Sequence, residues 1–97
     1  MPIYISLGRF TREGMMEIKK HPERVEQARK AIEAVGGNLK EFYMTFGRFD
    51  FVAVCEGPND EAALKAILMT ASGGAVGLET LKAVPSGEAI EIIKSLP

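Results

Sequence analysis

LKEFYMTFGRFDFVAVCE, residues Leu39–Glu56, decides the fold. Leu39–Phe46 and Phe51–Glu56 each alternate apolar residues with other side chains, the period-two pattern of a strand. Between them Gly47-Arg48-Phe49-Asp50 has the glycine and aspartate of a tight reversal, which predicts a hairpin. A central hairpin constrains the rest of a 97-residue chain, because its two strands need further strands and a helical cover.

Upstream, Ile3–Phe10 alternates Ile3, Ile5 and Leu7 against Tyr4, Ser6 and Gly8, a first strand. Thr11-Arg12-Glu13-Gly14 ends it, and Met15–Lys20 has room for one or two helical turns. Pro22 suits a first helical turn, where its missing N–H costs nothing. Val25, Ala28, Ile32 and Val35 then share one side, and Gly36-Gly37 supplies a left-handed ending. Downstream, Asn59 caps a helix that opens with Asp60 and Glu61. Its Leu64, Ile67, Leu68 and Ala71 form an apolar stripe, the pattern of a core-facing side. Ser72-Gly73-Gly74 closes it, and Val76–Val84 is a fourth strand. Pro85-Ser86 opens a last helix with Ala89, Ile92, Ile93 and Leu96 at helical spacing.

This order is strand, helix, strand, strand, helix, strand, helix. It predicts an α+β ferredoxin-like plait, βαββαβ plus a C-terminal helix, with a four-stranded antiparallel sheet and its helices on one face. No linker-like stretch divides the halves, so residues 1–97 are read as a single domain.

The helix-covered face is expected to carry the aliphatic parity, Ile3, Ile5, Leu7, Phe42, Met44, Val52 and Val54. The opposite parity is then Tyr4, Ser6, Tyr43, Thr45, Phe51, Ala53 and Cys55. Charged residues should mark a wet sheet face, yet Glu41 alone does so, at the edge. A contiguous apolar face of this kind is usually covered. The expectation is a homodimer or higher oligomer packed sheet to sheet through Tyr4, Ser6, Tyr43, Thr45, Phe51 and Ala53. Its plainer alternative is a moderately apolar exposed face.

Hydrophobic residues make up 46% and charged residues 26% of the chain, a globular balance that excludes disorder. The net charge of −1 argues against a general nucleic-acid or anionic-membrane binder. Residues 1–48 nevertheless hold nine basic and six acidic side chains, and residues 49–97 three and seven, an asymmetry that favours association of copies. Cys55 is the sole cysteine, which excludes an internal disulfide and an all-cysteine metal site. The opening Met1–Leu7 has no basic stretch, and no segment approaches the roughly 20 apolar residues of a membrane span. These features point to the cytoplasm.

Gly47-Arg48-Phe49-Asp50, with Thr11, Gly14, Pro22, Arg24, Gly36-Gly37, Tyr43, Glu56-Gly57-Pro58, Asp60 and Glu79-Thr80-Leu81-Lys82-Ala83, resembles the GYD domain family over nearly the whole chain. The resemblance implies a ferredoxin-like fold of the dimeric α/β-barrel type and carries no established activity. Phe49 stands where the naming tyrosine belongs. If that hydroxyl served ligand binding or proton transfer, this chain has lost it; if the ring only packs, nothing changes. The second half also resembles the effector-binding domain of leucine-responsive regulators, here without a helix-turn-helix.

Arg48 and Asp50 flank the turn, where they could hold a carboxylate or simply shape the hairpin, as an aspartate in a turn commonly does. Arg9, Arg12 and Arg48 are candidates for a small anionic ligand should the first strand end near the hairpin. His21, Tyr43 and Asp50 are the candidates for proton transfer, with helix entry, packing and turn capping as their plainer roles. No metal site and no cofactor are expected, since His21 lacks clustered ligands and no glycine-rich loop precedes a helix. Gly47–Val54 echoes the aromatic octapeptide of RNA-recognition motifs, but Gly47, Arg48 and Asp50 depart from it and the charge is wrong.

The leading expectation is a non-catalytic, homo-oligomeric small-molecule-binding or regulatory module. The alternative is a cofactor-free enzyme of the dimeric α/β-barrel type acting on a small organic substrate. Single-stranded RNA binding ranks third.

Overall fold

The computed structural model describes residues 1–97. Strand β1 (Ile3–Phe10) leads into α1 (Arg12–Met16), a 3-10 turn at Ile18–Lys20 and α2 (His21–Ala34). The hairpin strands β2 (Asn38–Met44) and β3 (Phe51–Glu56) follow, then α3 (Asp60–Ala71), β4 (Val76–Ala83) and α4 (Ser86–Lys94). The sheet is antiparallel, in the order β2-β3-β1-β4. This is the ferredoxin-like arrangement, α+β, with α2 and α3 side by side on one face.

Local chemistry explains the element ends. The Thr11 hydroxyl accepts from Gly14 N and turns the chain from β1 into α1, while Asn59 Oδ1 accepts from Ala62 N and starts α3. Pro22 lies in the first turn of α2, as expected. Gly47 has φ +96°, a backbone that the hairpin needs and a side chain would strain. A β-bulge between Leu39 and Glu41 interrupts the regular pairing of β2 with β3.

The register corrects the face assignment. Tyr4 pairs with Cys55, Ser6 with Ala53 and Gly8 with Phe51, so these residues share one side. That side lines the apolar space beneath α2 and α3, together with Val25, Ala28, Ile32, Ala62 and Ala66. The helices therefore cover Tyr4, Ser6, Phe51, Ala53 and Cys55. The aliphatic residues Ile3, Ile5, Leu7, Val52 and Val54 face the other way, contrary to expectation. On β4, Leu78 and Thr80 are on the helix side and Leu81 is on the open side; a Ser6–Thr80 hydroxyl contact of 2.9 Å fixes this. Phe42 is on the helix side, as expected.

Side-chain size is the physical reason. The sheet presents Tyr4 and Phe51, and α3 meets it with the small residues Ala62 and Ala66, all four buried. Gly8 takes part as well: a Cβ there would lie 2.0 Å from the Phe51 ring. The stripe expected to turn α3 inward is rotated, so that Ile67 lines the interior while Leu64 and Leu68 are exposed.

Candidate functional site

The sheet face away from the helices carries an aliphatic stripe, partly exposed at Ile5, Leu7, Val52 and Val54 and exposed at Leu81. Ile5 lies between Val54 and Leu81, and Leu7 beside Val52, so an aliphatic stripe crosses β3, β1 and β4. Glu79, opposite Leu7, Glu41, opposite Val54, and Glu56, opposite Ile3, are the acids that the register places on this side. Tyr43, paired with Val52, belongs to it too; it is exposed and donates its hydroxyl to Glu41, whose carboxylate raises the phenol's pKa. Of the six residues expected at a sheet-to-sheet interface, Tyr43 alone stays on this face by its register. Tyr4, Ser6, Phe51 and Ala53 lie beneath the helices, and the Thr45 hydroxyl clasps the hairpin by donating to Phe49 O at 2.6 Å.

The stripe leads toward α4, which has no extensive packing against any other element of the chain. Its Ile90, Ile92 and Ile93 and the following Leu96 are 48%, 53%, 62% and 67% exposed, values of a helix that its own chain does not cover. The chain accordingly extends 52 Å along its longest axis and 17 Å along its shortest. Its radius of gyration is 14.7 Å, against about 12.5 Å for a compact chain of this length.

The arginine candidates divide. Arg9 Nε donates to Arg48 O at 2.8 Å, and the two guanidinium carbons lie 5.1 and 5.7 Å from the centre of the Phe49 ring. Phe49 thus serves as a packing platform for two cations. Neither arginine has a carboxylate partner in the chain; Arg12 has none either and does not join the cluster. Asp50 has a structural role: its Oδ2 accepts from Phe10 N at 2.9 Å, and its backbone bonds to Gly8 and Thr45. Those bonds tie the hairpin to the end of β1.

The other proton-transfer candidates lie apart. His21 is half-buried among Phe10, Phe42 and Phe51, with ring centres 5.0 to 6.1 Å away. Its Nε2 is buried without a hydrogen-bond partner, and burial, then Arg24, pushes its pKa down. It borders a cavity of about 170 Å³ on the helix side of the sheet, remote from Tyr43 on the open side. His21, Tyr43 and Asp50 therefore share no centre. Burial also raises the Cys55 thiol, the condition of an unreactive cysteine.

Sequence reasoning missed the contact between Tyr4 and Asp60. The hydroxyl donates to Asp60 Oδ1 at 2.6 Å, and Lys82 reaches the same oxygen at 3.0 Å. The phenol is held at about 12 and the carboxyl below its usual range. The available signal was the alanine-rich side of α3, whose small residues complement an aromatic strand face. The same inversion removes Tyr4 and Phe51 from the open face, where an RNA-recognition fold would need its stacking rings. No helix is long and apolar enough to cross a membrane, and no cluster of histidine, cysteine and acidic residues is placed to hold a metal.

Comparison with known proteins agrees with this fold. A protein of Thermus thermophilus called the glutamine synthetase and cystathionine beta-lyase binding protein is 33% identical over 95 residues, spanning 97% of this chain and 100% of that one. The crystal structure of TTHA0845 from the same organism superposes with a TM-score of 0.56 over 89% of this chain and 96% of the other, at 22% identity. The GYD domain pattern matches residues 4–93, from the first strand into α4, so the chain belongs to the GYD domain family.

Proposed function

We propose that this chain is a non-catalytic regulatory module that self-associates through its open sheet face and binds other proteins, working as one domain in the cytoplasm. The observation that carries the reading is the uncovered aliphatic stripe of Ile5, Leu7, Val52, Val54 and Leu81, with a second exposed apolar surface on α4. An aliphatic face of this extent is stable in water when another surface covers it. An identical face is self-complementary under a two-fold axis. A standard interface removes about 800 Å² per partner from water.

The relative's name supplies the class of further partner. A protein named for binding glutamine synthetase and cystathionine beta-lyase, alike along its whole length, makes metabolic enzymes the partners to test. The scattered positions of His21, Tyr43 and Asp50 favour binding over catalysis by these residues. A small anion at Arg9 and Arg48 is compatible with this role, since both guanidinium groups lack a carboxylate.

Native mass spectrometry and sedimentation velocity of the chain, alone and mixed with purified glutamine synthetase, test the proposal. A dimer or larger assembly at micromolar concentration, and its co-migration with the enzyme, are expected. A monomer that leaves the enzyme's sedimentation unchanged overturns the proposal.

A further inference from the structure

Three facts about α4 require a neighbour. It has nine residues, whereas isolated helices shorter than about 12–15 residues are marginal in water. Its intrinsic stability is poor: Pro85 gives no side-chain cap bond, Gly87 is in the first turn, and three isoleucines follow. Its isoleucines are about half or more exposed, and no element of its own chain packs extensively against it. Val84 and Pro85 separate it from β4, and in this structure it extends away from the sheet, along a chain 52 Å long.

Charge identifies the neighbour. α4 leaves from the end of β4 at Ala83, which pairs with Ile3, while Arg9 pairs with Gly77 at the far end of the sheet. Six residues of strand, about 20 Å, separate these ends. Glu88 on α4 has no basic partner, and Glu91 has an exposed contact of 3.6 Å to Lys94. Arg9 and Arg48 have no acidic partner, yet are held together over Phe49. The two unbalanced groups do not meet within one chain. A two-fold axis running across the strands superimposes opposite ends of two stacked sheets. It brings α4 of one copy to the arginine pair of the other, twice per dimer.

We infer that α4 is an exchanged arm. It packs Ile92 and Ile93 against the rim of a second copy's open sheet face, and Glu88 and Glu91 meet Arg9 and Arg48 of that copy. This rests on the face-to-face assembly proposed above and specifies its axis. The second copy is favoured over an unrelated protein because the open-face stripe, the arm and both charge clusters recur on it in matching positions.

Sedimentation and native mass spectrometry of four proteins test the inference: the full chain, Ile92→Glu/Ile93→Glu, Glu88→Arg and Arg48→Glu. The isoleucine pair is expected to weaken the dimer at least about 100-fold, with the circular dichroism of the sheet unchanged, because no element of its own chain packs extensively against α4. Glu88→Arg and Arg48→Glu are each expected to weaken it about tenfold. Mixed together, they form a heterodimer in preference to either homodimer, since both cross-copy contacts are then of opposite charge. A monomeric full chain overturns the assembly itself. A full-chain dimer indifferent to the isoleucine substitutions overturns the arm alone, and a sensitive dimer without heterodimer preference overturns the charge pairing and its axis.

Discussion

The two faces of the sheet are built on opposite plans. Beneath the helices lie two large rings, Tyr4 and Phe51, hydroxyls at Ser6 and Thr80, and alanines above them. The other face carries a central aliphatic stripe, with Glu41, Tyr43, Glu56 and Glu79 around it. The helix side is also loosely filled, with cavities of about 90 and 170 Å³ and no large side chain fully withdrawn from water. The side chains best suited to dense packing are on the face that the chain leaves open. Stability of the single chain is thus expected to depend on a few aromatic contacts, and association on the aliphatic stripe.

The largest test of that division is Phe51→Ala. Phe51 stacks on Phe42, with ring centres 5.1 Å apart, and touches Phe10 and His21. Its removal is expected to cost about 3–5 kcal/mol, a large share of a domain's stability, read as a lower urea midpoint. On the opposite face, Val54→Glu is expected to leave the unfolding of the single chain within about 1 kcal/mol while weakening self-association at least about 100-fold. A Val54→Glu protein that unfolds like Phe51→Ala would erase the distinction between the faces. Asn59→Ala, which removes the cap of α3 on the helix side, is expected to cost about 1 kcal/mol without changing the assembled mass.

The smallest effect belongs to His21. Its folded pKa lies below the unfolded value near 6.5, so the unfolded chain binds more protons between the two. Stability should fall as pH drops through 6.5 toward the folded pKa, and His21→Phe should flatten that slope between pH 8 and 5.5. Glu17, held below its usual range by Lys20 and Arg24, and Asp60, held below it by Tyr4 and Lys82, lose their contributions only in the acid range under about 4.5. Denaturant midpoints across pH, with and without the substitution, separate the two windows.

The element order was readable because each signal was local. Asn59 and Pro22 mark helix starts, Gly47 marks the hairpin, and Val25, Ala28, Ile32 and Val35 point inward as their spacing requires. The facing of β1 and β3 was not readable from alternation, because neither parity of Ile3–Leu7 and Phe51–Cys55 carries a charge. Period two separates two sets without saying which one a helix covers. The decision lies in α3, where Ala62 and Ala66 leave room for rings and not for a second aliphatic layer. Convergence of Arg9 on Arg48 was legible as a possibility of topology. The exclusion of Arg12, and the bonds from Asp50 to Phe10 and Gly8, depend on register and are invisible to composition.

The bulge in β2 has a consequence for how copies can multiply. β2 is a border strand, and an unbroken border offers evenly spaced donors and acceptors onto which a foreign strand can zip, the first step toward fibrils. At Leu39 and Glu41 that spacing is lost, with Lys40 adding a charge at the break. Addition of a foreign strand at the β2 border is thereby disfavoured.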